Sequence, residues 1–502
     1  QLGKRAGQAP RELAQLVAGE LATAAGIGAA EVAGPGFINI RVEAAAQGLL
    51  AKEIVEAGAA YGSSAALAGQ RVNLEFISAN PTGPIHLGHT RWAVVGDAIG
   101  RLLEAAGAEV VREFYINDRG SQMDRFGESI EATARGLAVP ENGYHGDYIA
   151  DLAKQIVAAE PGILDLPDAE RVVAFREAGY RNQLAEQRAQ LDEFRTHFDV
   201  WYSERSLHDN HKVEQGLAQL RGAGHLFEAD GALWMRTTDF GDDRNRVLVR
   251  SNGDLTYFAS DTAYYLDKRA RGFDICIYLL GADHHGYVGR LKAMAACAGD
   301  DPDHNIEVLI GQLVKIMRGE EEVRLSKRAG AVVTLKELVD MIGVDPLRYT
   351  LARYPADSPL TVDIEHITKR TADNPVFYVQ YAHARMASIL RNARDLGLSP
   401  AGADFDAGLL SHEREGNLLR ALGDLPRIVQ QAAELREPHR VARYLEQTAA
   451  TFHRFYDVCR VLPHGDEPAG PLHAARLLLV EATRTVIANG LRLLGVSAPE
   501  RM

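Results

Sequence analysis

Residues 71–89 read Arg-Val-Asn-Leu-Glu-Phe-Ile-Ser-Ala-Asn-Pro-Thr-Gly-Pro-Ile-His-Leu-Gly-His, and the period of the apolar residues changes within them. Val72, Leu74 and Phe76 alternate with polar neighbours, which is the signature of a strand. Pro81, Gly83 and Pro84 then break the chain, and from His89 to Ala106 apolar residues recur at helical spacing until Gly107 closes the run. Strand character returns at 110–116. Strand, helix and strand over about forty residues make a βαβ unit, which demands a parallel sheet. The Pro- and Gly-rich turn then sits at the carboxyl end of the first strand, where open α/β sheets bind ligands, so a nucleotide site is expected there.

Outward from this unit the chain divides. A helix from Pro10, the Gly34-Pro35-Gly36 turn and the alternating strand 37–42 read as the end of a small α+β unit, and a helical stretch at 44–60 leads into the main domain. Residues 124–224 are mostly helical and charged, with little strand signal and a break near Pro161 and Pro167; they read as an insertion. Strands are expected again at 232–236 and 247–250, with Asn252-Gly253 as a tight turn, and apolar runs at 275–280 and 307–316 predict two further buried strands. From Pro346 onward nearly everything is helical, with Asn374 as a capping residue before Pro375 at the first helical position.

Composition narrows the class. The 502 residues exceed what one small core supports, and 46% apolar with 25% charged residues describes an ordinary globular protein. A formal net charge of −13 argues against indiscriminate coating of nucleic acid but leaves room for a local basic groove. Cys276, Cys297 and Cys459 lie too far apart for a disulfide framework or a zinc pattern, so no zinc and a cytoplasmic setting are expected. No stretch approaches the ~20 apolar residues of a membrane span. The first residue is Gln rather than Met, so the N-terminal module is expected to be incomplete.

Two short motifs carry chemistry. His86-Leu87-Gly88-His89 falls between the strand and the first turn of the helix. Free N–H groups there, Gly88 giving room for a flat base, and two imidazoles able to donate to phosphate oxygens suit a nucleotide; so, taken alone, would a pair of satisfied structural histidines. Arg324-Leu325-Ser326-Lys327-Arg328 places three cations in five residues ahead of Thr334 and Glu337, which have capping-box spacing. This basic loop suits a leaving pyrophosphate, and equally a solvated surface.

Together the motifs resemble those of class I aminoacyl-tRNA synthetases, usually written HIGH and KMSKS. Arg324 replaces the first Lys and Arg328 the final Ser, while Lys327 matches. The runs Glu75-Phe76-Ile77-Ser78-Ala79-Asn80-Pro81 and Tyr257-Phe258-Ala259-Ser260-Asp261 are similar to those of arginyl-tRNA synthetases, and Phe377-Tyr378-Val379-Gln380-Tyr381-Ala382-His383-Ala384-Arg385 resembles their anticodon-binding helix. A guanidinium substrate needs carboxylates, which Glu75 and Asp261 supply.

The resemblance implies an α/β fold: a Rossmann-like parallel-sheet catalytic domain with a helical insertion, then an all-α helical-bundle anticodon-binding domain. It divides the chain into the remnant of an N-terminal α+β tRNA-binding module (1–45), the first catalytic half (46–125), a mainly helical insertion (126–239), the second catalytic half with the basic loop (240–345) and the anticodon-binding bundle (346–502). The activity implied is ligation of L-arginine to tRNA with Mg2+-ATP, through an arginyl-adenylate, by a monomer that needs bound tRNA even for activation. His86, Gly88, His89, Arg324, Ser326, Lys327 and Arg328 would bind ATP, with His86, His89 and Lys327 catalytic. Glu75, Ser78 and Asn80 would meet the amino and carboxylate end of arginine, Tyr257 and Asp261 its guanidinium, and His284 would line the pocket. Tyr378, Tyr381, Arg385 and the terminal Met502 would meet the anticodon, and Pro499-Glu500-Arg501-Met502 resembles the family's natural end. Asp283-His284-His285 lacks further ligands at metal-site spacing, so no protein-bound metal is expected. Rival readings are a synthetase for another amino acid and a noncatalytic RNA-binding paralogue. A dinucleotide oxidoreductase is disfavoured because no Gly-x-Gly-x-x-Gly follows the first strand.

Overall fold

A computed structural model describes residues 2–323, 333–400, 405–465 and 467–502. Its centre is a five-stranded parallel sheet of β1 (Arg71–Glu75), β2 (Glu109–Ile116), β3 (Val200–Ser203), β4 (Ile275–Gly281) and β5 (Ile306–Gly311), ordered β5-β4-β1-β2-β3. The order reverses between β1 and β4, and β1 feeds the turn into helix α1 (Leu87–Ala105). The crevice beyond the carboxyl ends of β1 and β4 is therefore the topological switch point. Val72, Leu74 and Phe76 are fully buried against Val95, Ile99 and Leu103 of α1. Gly96 permits this approach, because a Cβ there would lie 2.4 Å from the Phe76 ring.

Three helices, Ser121–Ala134, Asp147–Ala159 and Asp168–Glu193, pack around their own core of Phe126, Ile130, Ile149 and Phe175. The stretch expected to be helical nevertheless contains β3, an edge strand of the central sheet, too short at four residues to show a period. Its carboxyl end runs into helix α2 (Glu204–Asp209). The strands Leu226–Ala229, Ala232–Met235 and Arg246–Val249 form a separate antiparallel sheet rather than a return to the parallel one. Helix α3 (Tyr257–Ala270) follows the Asn252-Gly253 turn, capped by the Thr256 side chain.

The apolar run expected as one strand at 307–316 is two. After β5 the chain leaves the central sheet at Gly311, whose backbone is packed so close to Trp92 that a Cβ would lie 2.1 Å from the indole. Val314–Arg318 then pairs in parallel with Leu360–Asp363, a strand inside the region read as helical. The remaining C-terminal chain is a helical bundle that includes α4 (Pro375–Asp395), α5 (His439–Tyr456) and α6 (Pro471–Leu493). Asn374 does not cap α4; its buried amide donates instead to Ile367 O at 2.9 Å and Lys369 O at 2.7 Å. Arg348, fully buried, joins Asp97 of α1 to the carbonyls of Phe194 (2.8 Å) and Leu494 (3.2 Å), fixing the bundle's end to α1.

Candidate active site

Beyond β1 the chain turns within two residues. Ser78 N–H donates to Phe76 O at 2.9 Å, which forces Ile77 (φ 68°) and Ser78 (φ 46°) into the left-handed region. Each such residue costs on the order of 1–3 kcal/mol and needs surrounding structure to hold it. The restraint is visible: Ser78 Oγ donates to Glu75 Oε1 (3.0 Å) and accepts from Tyr115 N–H (3.1 Å). Glu75 in turn receives Lys268 Nζ at 2.5 Å, and that fully buried ammonium lies between the rings of Tyr264 and Tyr278, 4.3 and 4.1 Å from their centroids. Glu75 and Ser78 are thus brought together as expected, with Glu75 already ion-paired inside the fold. Asn80 is exposed and donates to Gln122 Oε1 at 2.9 Å.

His86 is the N-cap of α1. Its Nδ1 accepts from Gly88 N–H (3.1 Å), and His89 Nδ1 accepts from His86 N–H (3.5 Å), with the rings 3.8 Å apart. Accepting at Nδ1 assigns the proton of each neutral ring to Nε2, leaving two N–H donors that have no protein partner among the described residues. Burial, with the neighbouring His86 adding to it, lowers the His89 pKa to about 3, and burial lowers that of His86 as well. Both rings are therefore neutral donors near pH 7, not cations.

Arg324, Ser326, Lys327 and Arg328 lie outside the described residues. The chain immediately after them is attached to the HLGH turn: Leu87 N–H donates to Val333 O and Leu335 N–H to Ile85 O, both at 2.8 Å. Thr334 and Glu337 form the expected capping box of helix Leu335–Ile342. Val333, more than two hundred residues beyond the HLGH turn in sequence, is thus joined to the start of α1.

Across the crevice, Asp261 of α3 accepts a hydrogen bond from the Tyr287 hydroxyl. Burial, and after it the nearby Glu75 carboxylate, raises its pKa to about 6 despite the Tyr287 bond. Glu204, at the first position of α2 and buried, is raised to about 7 by burial, then by Asp118 and Asp261, while Tyr115 hydrogen-bonds it. Burial, and after it the carboxylates of Glu204, Asp261, Glu75 and Asp118, push up the Tyr115 phenol, so all four acids act on one ring. Two of them are spoken for: Glu75 by Lys268, and Asp118 by Ser203 Oγ (2.6 Å), Tyr180 Oη (3.1 Å) and the Arg205 N–H (3.0 Å). Asp261 and Glu204 form no ion pair among the described residues. Arg290 acts on Asp261 and Arg119 on Glu204 without forming an ion pair, so the two acids keep carboxylate oxygens for a further cation.

Tyr257 is 75% exposed at the start of α3, and His284 is exposed, its ring edge-on to Tyr287 at 6.4 Å. They stand outside the enclosed acids. Sequence reading missed Glu204, Tyr287 and Lys268. The available signal for Glu204 was its place just after a strand, and for Lys268 its place two helical turns beyond Asp261. Among the described residues no group of three or more His, Cys, Asp or Glu side chains is arranged to hold a metal ion, and no helix is long and apolar enough to cross a membrane.

A second surface lies on the bundle. Tyr381 of α4 is 42% exposed and stacks on Phe377 at 6.0 Å; Tyr378 and Tyr381 flank His453 of α5, and the Arg385 guanidinium lies 4.5 Å from the Tyr456 ring. The C-terminal tail is strapped along α4, with Gln380 Nε2 donating to Ser497 O (2.9 Å) and Arg391 to Glu500 O (3.1 Å). Met502 and Phe377 border the same cavity. Of the stripe, Tyr381 is open to solvent, while Tyr378 is half-buried against the bundle core and Arg385 is half-buried.

Residues 52–138 and 174–348 match the family described as tRNA synthetases class I (R), catalytic domain; residues 379–502 match the DALR anticodon binding domain, and residues 1–42 the arginyl tRNA synthetase N terminal domain. The arginine–tRNA ligase of Frankia alni is 56% identical over 502 residues, covering 100% of this chain and 91% of that protein. A putative arginyl-tRNA synthetase of Campylobacter jejuni has a solved structure with TM-score 0.83 at 30% identity, covering 92% of this chain and 100% of that one. The Thermus thermophilus arginyl-tRNA synthetase shares the fold at TM-score 0.76 and 24% identity, over 100% of this chain and 93% of its own.

Proposed function

The chain belongs to the arginyl-tRNA synthetase family, and on that premise we propose which residues perform each step. It is an arginine–tRNA ligase: it activates L-arginine with ATP to arginyl-adenylate and transfers the arginyl group to the terminal adenosine of tRNA, releasing AMP and pyrophosphate. Asp261 and Glu204 receive the substrate guanidinium, the observation that carries this assignment being that Asp261 acts on Glu204, burial raises both, and neither forms an ion pair among the described residues. Charge-assisted bonds to both give specificity for a planar cation over a neutral side chain. Glu75 and Ser78 shape the wall that meets the amino end, with Asn80 at the rim, while Tyr257 and His284 border the mouth.

The arginine carboxylate attacks the α-phosphate, and the Nε2–H groups of His86 and His89 donate to its oxygens as charge builds there. Gly88 leaves the adenine room at the backbone. Lys327, with Arg324, Ser326 and Arg328, neutralises the departing pyrophosphate, a role supported by the attachment of Val333 to the HLGH turn. Mg2+ enters with the triphosphate, whose oxygens suit a hard cation. The terminal adenosine then attacks the adenylate. Tyr378, Tyr381, Arg385 and Met502 meet anticodon bases, with the exposed Tyr381 ring as the stacking platform. We place the protein in the cytoplasm as a monomer. ATP–pyrophosphate exchange with each of the twenty amino acids, with and without tRNA, tests the reading: arginine alone should support exchange, and only with tRNA present. Exchange driven by another amino acid would overturn it.

A further inference from the structure

Between the catalytic domain and the bundle lies a cavity of about 470 Å³, bordered by Lys369, Arg370, Phe377, Arg501 and Met502. Lys369, Arg370 and Arg501 are exposed and form no ion pair among the described residues, in a chain whose net charge is −13. Asp345, the acid lining this cavity, is engaged by Arg195 (2.6 Å), Ser497 N–H (3.0 Å) and Gln380 Nε2 (2.9 Å). Asp373, which feels Lys369, is hydrogen-bonded by the Thr371 hydroxyl. The cations are presented on fixed backbone. The buried Asn374 amide holds the carbonyl of Lys369 at 2.7 Å, and on the other wall His383 Nδ1 bonds Pro499 O at 2.8 Å while Arg391 holds Glu500 O at 3.1 Å. The cavity is continuous with the aromatic stripe through Phe377, which borders the one and stacks on Tyr381 in the other.

We propose that Lys369, Arg370 and Arg501 form a binding site for RNA backbone phosphates, seating the strand whose bases lie on the Tyr378–Tyr381 stripe. Bases splayed onto aromatic rings leave their phosphates to run alongside, and a polyanion needs cations not already consumed by carboxylates. The site rests on the tRNA-ligase reading and adds to it a sequence-independent contact that sets register next to the base-reading stripe.

The test is equilibrium binding of the tRNA transcript to the full chain at several KCl concentrations. It compares wild type with Lys369→Gln/Arg370→Gln/Arg501→Gln and with a control that removes three exposed, carboxylate-paired cations, Lys154→Gln/Arg221→Gln/Arg427→Gln. Each phosphate contact contributes about 0.7 to 0.9 to the slope of log K against log salt, so the triple variant should lose about 2 to 3 from that slope and bind at least roughly 10-fold more weakly at low salt. Its exchange rate at saturating tRNA should stay within about twofold of wild type, because no altered residue touches the catalytic crevice. An unchanged slope in the triple variant, or an equal loss in the control, overturns the phosphate site while leaving the ligase reading intact. Absence of tRNA binding by the wild-type chain would remove both.

Discussion

Asp261→Asn removes the charge of one enclosed acid while keeping its shape, and the size of the effect follows from its contacts. One of the two carboxylate oxygens, Oδ2, already accepts from Tyr287, so Oδ1 is left for the substrate. A single charge-assisted hydrogen bond contributes about 1.5–3 kcal/mol, which corresponds to a roughly 10- to 150-fold fall in kcat/KM for arginine. The loss should stay within that range because Glu204, relieved of a neighbouring negative charge, ionises more readily and keeps one counter-ion in place. With ATP assigned to the HLGH turn, KM for ATP should change by no more than about twofold. The assay is ATP–pyrophosphate exchange at saturating tRNA, varying arginine and then ATP. Equal losses for both substrates, or an undiminished kcat/KM for arginine, would refute the assignment of Asp261 to the guanidinium.

The pH profile follows from the same pair: Asp261 near 6 and Glu204 near 7 are protonated and uncharged below those values. Thus kcat/KM for arginine should climb between about pH 5.5 and 7.5 and level off above roughly pH 8, with Glu204→Gln removing the upper part of the rise. Raised carboxylate pKa values also mean stability that is present at low pH and lost as pH rises through the folded values; at about pH 8 the arginine-free Asp261→Asn protein should resist urea better than wild type, by on the order of 1–3 kcal/mol, and a less stable variant would count against the burial argument. His89→Asn should slow adenylate formation by roughly 10²- to 10³-fold in single-turnover experiments, whereas the wild-type rate should show no titration of this ring between about pH 6 and 8. Tyr381→Ala should weaken tRNA binding by about 1–3 kcal/mol without lowering the melting temperature, since the ring is 42% exposed; a large fall in melting temperature would return the stripe to the core.

What could be read before folding was whatever lies contiguous in the chain. β1, the turn and α1 announce themselves by a change of period, and the HLGH residues occupy the helix start that this change implies. The capping box at Thr334 and Glu337 was equally local. Glu204 was hidden because β3 is only four residues long, and its neighbours Tyr115 and Asp261 are far away in sequence. Lys268 stands in the last turn of a helix, as a solvated cation would, yet it is fully buried and ion-paired with Glu75, the acid assigned to the substrate. Nothing local distinguishes a lysine that packs between two tyrosines from one that is solvated. The break at Gly311 was likewise concealed, because the apolar run continues on either side while the packing against Trp92 redirects the chain. Asn374 shows the converse: the local pattern was right about where the helix begins and wrong about the task of its side chain.

A crystal structure with a non-hydrolysable arginyl-adenylate analogue would place both halves of the crevice in a single view. The guanidinium should lie within about 3 Å of Asp261 and Glu204, and the phosphate oxygens within about 3 Å of Nε2 of His86 or His89. A guanidinium seated away from both carboxylates, or a phosphate remote from the two histidines, would contradict this arrangement of the crevice.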